Sequence, residues 1–108
     1  MRRVIIESPY AGDVARNEQY ARAAMKDCLD RGEAPYASHL LYTQPGVLDD
    51  TNQDQRMLGI EAGLAWGDVA DAVVVYTDLG ISKGMMFGIE RHIEHGRTIE
   101  YRRLQGEA

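Results

Sequence analysis

Apolar residues fall along this chain in two rhythms, short unbroken runs and stripes at helical spacing, and the two alternate from one end to the other. Residues Arg3 to Glu7 (RVIIE) form a β-branched run that meets Pro9 and Gly12, which predicts a short buried strand running into a loop. From Asp13 to Arg31 the residues Val14, Ala21, Ala24, Met25, Cys28 and Leu29 recur on one helical face, with Gly32 at the stop position. A weak strand is expected near Pro35 to Ser38, because alanine and proline are poor strand formers. After a polar loop from Thr43 to Asp50, a second helix is expected from Thr51 to Trp66 on the stripe Met57, Leu58, Ile60, Leu64 and Ala65. Asp71 to Tyr76 (DAVVVY) is the clearest strand, and its unbroken apolar run reads as a central strand covered on both faces. Thr77 to Ile81 is a loop, and Ser82 is an N-cap for a third helix from Lys83 to His95 that stops at Gly96. Thr98 to Arg103 alternates as an edge strand does, and Gln105 to Ala108 reads as a frayed tail.

Alternating strands and helices argue for an α/β fold in three layers: a small parallel sheet of about four strands, with room for a fifth, and helices on both faces, flavodoxin- or Rossmann-like. Ligands on such sheets bind beyond the carboxyl ends of the strands, where the strand order reverses. The loops Ser8 to Asp13, His39 to Asp50 and Thr77 to Gly84 are expected at that end.

Composition narrows the classes. A length of 108 residues leaves room for one compact domain. Twelve basic against seventeen acidic side chains give a formal charge of -5, which argues against a polynucleotide partner. No apolar stretch approaches the ~20 residues of a membrane-spanning helix, so no membrane partner is expected. Glu7 cuts the N-terminal apolar run too short for a signal-peptide core, which points to the cytoplasm. Cys28 is the single cysteine, and with His39, His92 and His95 it makes no zinc spacing, so neither a disulfide framework nor a metal site is expected. The chain lacks both GxGxxG and GxxxxGK[ST], which disfavours ATP-driven chemistry, and no cofactor is expected.

The candidate chemistry sits in the loops. Ser8, Pro9, Tyr10 and Gly12 precede a helix N-terminus, where free backbone N–H groups favour an anion; a plain turn with Tyr10 as a packing lid is the bland alternative. Asp78 follows the central strand, Gly84 permits close backbone approach, and Ser82 opens the next helix; helix capping by Ser82 and a turn stabilised by Asp78 are the alternatives there. Glu90 is either an acid close to the site or a surface charge. Glu61 and Asp54 read as a solvated face, and His92 and His95 as charges that suit the helix dipole. His39 lies after the weak strand, on the side where ligands bind. Cys28 reads as an inert packing residue.

The opening Val4 to Gly12, the Ala70 to Asp78 strand, and Ser82-Lys83-Gly84-Met85-Met86-Phe87-Gly88 followed by Gly96 and a last strand resemble the nucleoside 2-deoxyribosyltransferase-like family, and in particular its short bacterial and phage members. In family enzymes a helix glutamate attacks the anomeric carbon of a 2-deoxynucleoside and the glycosyl-enzyme passes the sugar to another base or to water. The resemblance sets Met86 at the position of that glutamate, and a thioether is no glycosyl acceptor. It implies Glu90, or a carboxylate from a neighbouring subunit, as substitute and Asp78 as a second catalytic group. It further implies Ser8, Tyr10 and Gly12 as ligand contacts, and loop position adds Pro9, His39, Ser82, Gly84, Met85 and Met86. The expected partner is a nucleoside or nucleotide. Two readings follow, an enzyme of N-glycosidic bonds and a catalytically silent nucleotide-binding protein, with a scaffold lacking any small-molecule site as the blandest third. A four-strand sheet is too shallow to enclose a nucleoside, so a homo-oligomer with pockets completed across subunits is expected.

Overall fold

Four parallel strands, β1 (Arg2–Glu7), β2 (Glu33–Tyr36), β3 (Ala72–Tyr76) and β4 (Ile99–Arg102), lie side by side in the order β2-β1-β3-β4. This is a computed structural model, and it describes residues 1–105; the expected tail lies outside the described residues from residue 106 onward. Four helices connect and cover the strands: α1 (Val14–Asp30), the single turn α2 (Ser38–Leu41), α3 (Gln53–Trp66) and α4 (Lys83–Glu94), with a 3-10 turn over Gly67–Val69. Val4 of β1 stands opposite Pro35 on one side and Ala72 on the other. The order reverses between β1 and β3. Right-handed crossovers therefore carry α1 and α4 to opposite faces, as the alternating pattern predicts.

Strand side chains alternate between those faces. Val4, Ile6, Ala72, Val74 and Tyr76 pack with Ala24 and Cys28 of α1, whereas Ile5, Val73 and Val75 pack with Met85 and Ile89 of α4. Each such fully buried aliphatic side chain contributes about 1.5–3 kcal/mol. On the α1 face Arg102 makes two 2.7 Å bonds to the Glu33 carboxylate, with both side chains buried. The Arg102 guanidinium holds the Glu33 carboxyl below its usual range, and Arg2 also pairs with Glu33.

Three local expectations change. β2 begins at Glu33, two residues before the expected strand, because pairing with β1 starts at Arg2 opposite Glu33; as an edge strand it tolerates Pro35. His39 stands on α2 rather than in a loop. Met57 and Leu58 of α3 are exposed, while Gly59, Ile60, Gly63 and Leu64 turn inward to line a cavity. Cys28 is buried as expected, against the Tyr76 hydroxyl.

Candidate functional site

A cavity of about 360 Å³ opens beyond the carboxyl end of β1, walled by α2, the inward side of α3 and the first turns of α4. It lies at the reversal of strand order, on the α4 side of the sheet. Its size is within the roughly 300–1,000 Å³ range of small-molecule sites.

Glu7 and Ser8 close the strand end of this cavity. Alternation along β1 puts Glu7 on the same face as Ile5, against α4. Gly88 leaves the space it occupies, since a Cβ there would stand 2.7 Å from Glu7 Oε2. Burial pushes the Glu7 carboxyl above its usual range, and His92 opposes that rise. His92, 1% exposed, holds Nε2 at 3.4 Å from Glu7 Oε2, a long contact rather than a full hydrogen bond. Behind it, Arg97 Nη1 donates to His92 Nδ1 at 2.8 Å.

A second polar pair stands beside the first. Ser8 Oγ and His39 Nε2 are 2.7 Å apart, and burial lowers the His39 imidazole to about 4. A neutral imidazole in contact with a buried hydroxyl is equipped to accept or relay a proton. The loop that carries Tyr10 is pinned from α1, where Asn17 Nδ2 donates to the carbonyls of Tyr10 and Ala11 at 2.9 and 3.0 Å. Arg56 of α3 and Lys83 of α4 bring positive charge to the wall. Ser82 caps α4: its Oγ accepts from Met85 N at 3.2 Å, while its own N–H donates to Met85 Sδ at 3.4 Å.

Of the residues expected from sequence to touch a ligand, the fold brings Ser8, Tyr10, His39, Ser82, Gly84 and Met85 to this one cavity. Pro9 is buried and Gly12 sits in an exposed turn at φ +99°, and neither lines it. Met86 is 45% exposed and points off the wall. Glu90 is exposed on α4 and also stands off the wall, as does Asp78. Asp78 accepts from the Tyr20 hydroxyl at 2.6 Å and from the amides of Leu104 and Gln105 at 2.8 and 3.0 Å. Burial alone would raise its carboxyl, but those bonds together hold it low. It fastens the chain after β4 to α1. His95 is exposed at the end of α4.

Glu7 and His92 are the site residues that the sequence reading passed over. Glu7 carried a signal, being the charge that ends a buried run at a switch-point strand. His92 carried another, because Met85, Gly88, Ile89 and His92 form the buried stripe of α4, so the histidine faces inward rather than toward the helix end. Arg97 and Arg56 had no comparable signal.

A doubly wound parallel α/β sheet with a largely apolar cavity at its switch point, carrying a few convergent polar groups, is thus the class of protein that fold and site define. Residues 2–102 match the model of the family described as "Domain of unknown function (DUF7768)", and the chain belongs to that family. Comparison with curated proteins finds no match. Among solved structures, one described as a 2-deoxyribosyltransferase from the psychrotolerant bacterium Bacillus psychrosaccharolyticus, a biocatalyst for synthesis of antiviral and antitumoral nucleosides, superposes with a TM-score of 0.72. The match covers 98% of this chain and 75% of that one at 15% identity. Likeness at this identity establishes a shared fold. Among the described residues no helix is long and apolar enough to cross a membrane.

Proposed function

We propose that this chain binds a nucleoside or nucleotide in the switch-point cavity and acts on its N-glycosidic bond, as a deoxyribosyltransferase or nucleosidase, in the cytoplasm. The observation that carries the reading is a half-buried carboxylate, Glu7, on the wall of a cavity of nucleoside size. Departure of a base leaves positive charge at the anomeric carbon, and a carboxylate held in the cavity wall stabilises that charge or bonds to the carbon. Glu7 supplies the group that Met86 cannot, and it takes the part first assigned to Glu90. Ser8, Tyr10, His39, Ser82, Gly84 and Met85 are the proposed ligand contacts, and the Ser8–His39 pair is placed to handle the proton of a leaving base or an acceptor.

The exposure of Met86 favours a second reading, a silent nucleotide-binding protein, because the start of α4 brings no carboxylate to the cavity. Base-release and base-exchange assays across nucleosides and their 5′-monophosphates, run beside isothermal titration, decide. Turnover that Glu7→Gln abolishes supports the enzyme, and binding without product supports the silent protein. Neither binding nor turnover on any of them would sink both.

A further inference from the structure

A line of polar contacts runs from the protein surface to the wall of the cavity. Arg97, just beyond α4, donates from Nη2 to Asp68 Oδ1 at 2.7 Å and from Nη1 to His92 Nδ1 at 2.8 Å. A guanidinium has donors and no acceptor, and it does not lose its proton in proteins. Nδ1 of His92 is therefore the acceptor, and the ring carries its N–H on Nε2. That N–H faces Glu7 Oε2 across 3.4 Å. Two glycines clear the line. A Cβ on Gly88 would run into Glu7, and one on Gly67 would run into the Arg97 guanidinium.

We propose that Arg97 and His92 are positioning residues for Glu7: Arg97 fixes the tautomer of His92, and the Nε2–H so fixed keeps Glu7 ionised and in place at the cavity wall. The inference rests on the reading of the cavity as a site of N-glycosidic chemistry, which needs an ionised carboxylate beside the anomeric carbon. Burial raises the Glu7 carboxyl and the His92 contact lowers it, so a donor at this position opposes the protonation that burial favours. With Nδ1 protonated instead, the Nε2 lone pair would face the carboxylate and repel it. The remaining titratable or charged side chains on the wall are Tyr10, His39, Tyr42, Asp50, Arg56 and Lys83. Of these His39 is engaged with Ser8 and Tyr42 with Tyr36, so His92 is the side chain paired with Glu7 among the described residues.

Nitrogen-15 spectra of the histidine rings and carbon-13 titration of the Glu7 carboxyl test the relay without any assay of activity. The wild-type protein should show His92 as the Nε2–H tautomer at neutral pH. Arg97→Met should lose that preference and shift the Glu7 midpoint upward, and Arg97→Lys should restore part of both. In turnover, the acid limb of the pH–rate profile should move with the Glu7 midpoint, with kcat roughly tenfold lower and KM little changed. A wild-type His92 protonated on Nδ1 overturns the proposal, as does a folded Arg97→Met protein whose Glu7 midpoint stays put. Should Arg97→Met not fold, the wild-type tautomer and the Arg97→Lys titration still decide. A protein that binds and converts no nucleoside refutes the functional reading instead, and the spectra tell the two failures apart.

Discussion

Glu7 is a residue that the fold holds at a cost. Its carboxyl is raised by burial, so it is protonated more readily in the folded chain than in the unfolded one. The contribution of such a group to stability is fully present below the unfolded value and is lost as pH rises through the folded value. Glu7→Gln should accordingly stabilise the protein at pH 7 while removing the proposed activity, and the gain should shrink as pH falls through the ordinary carboxylate range. His39 runs the other way. Its imidazole is lowered to about 4, so its stabilisation is present above the unfolded value near 6.5 and is lost as pH falls from there toward 4. Thermal melts of wild type, Glu7→Gln and His39→Gln between pH 4 and 8 check both signs, and a His39→Gln protein with wild-type acid sensitivity would refute the second.

At the scale of elements, α2, α3 and α4 do the work of enclosure. The α4 stripe of Met85, Gly88, Ile89 and His92 turns its first turn and its last histidine to the same side, and Ser82 sets where that stripe begins. α3 approaches α2 through Gly63, where a Cβ would lie 2.7 Å from the Cβ and Oγ of Ser38. Ser38 neighbours His39, so this close approach also seats the Ser8–His39 pair. Gly63→Ala should gain helix propensity yet lose about 1–3 kcal/mol through overpacking, and it should weaken nucleoside binding by moving α2. Urea unfolding and isothermal titration read the two effects, and unchanged affinity would show that α2 does not shape the cavity. The glycines of α3 carried no sequence signal of this kind, because a missing side chain says nothing about what fills its place.

At the scale of the whole molecule, the outward side of α3 and the turn that follows carry Leu58 at 56%, Trp66 at 53% and Val69 at 51% exposure. Asp54 and Glu61 are exposed on the same side as Leu58, and the homo-oligomer stays an expectation that a mass measurement tests. Light scattering should report a mass above the monomer, and Leu58→Glu should lower it without touching the cavity wall; a monomeric wild type would contradict the expectation. The parallel α/β class, the strand and helix order, and six of the cavity-lining residues were legible from sequence, because burial on both faces leaves an unbroken β-branched run and loops at strand ends share one side of a parallel sheet. These are consequences of local pattern and chain direction. The carboxylate proposed to act, Glu7, was not legible in the same way. Glu90, Met86 and Asp78 drew notice by motif and position, yet helix rotation turns the first two to solvent, and Tyr20 with the chain after β4 claims the third. Only packing put Glu7, His92 and Arg97, ninety residues apart in chain order at their extremes, on one line. Such a line depends on the rotation of α4 against β1 and on space left by Gly67 and Gly88, quantities that exist once elements touch and not before.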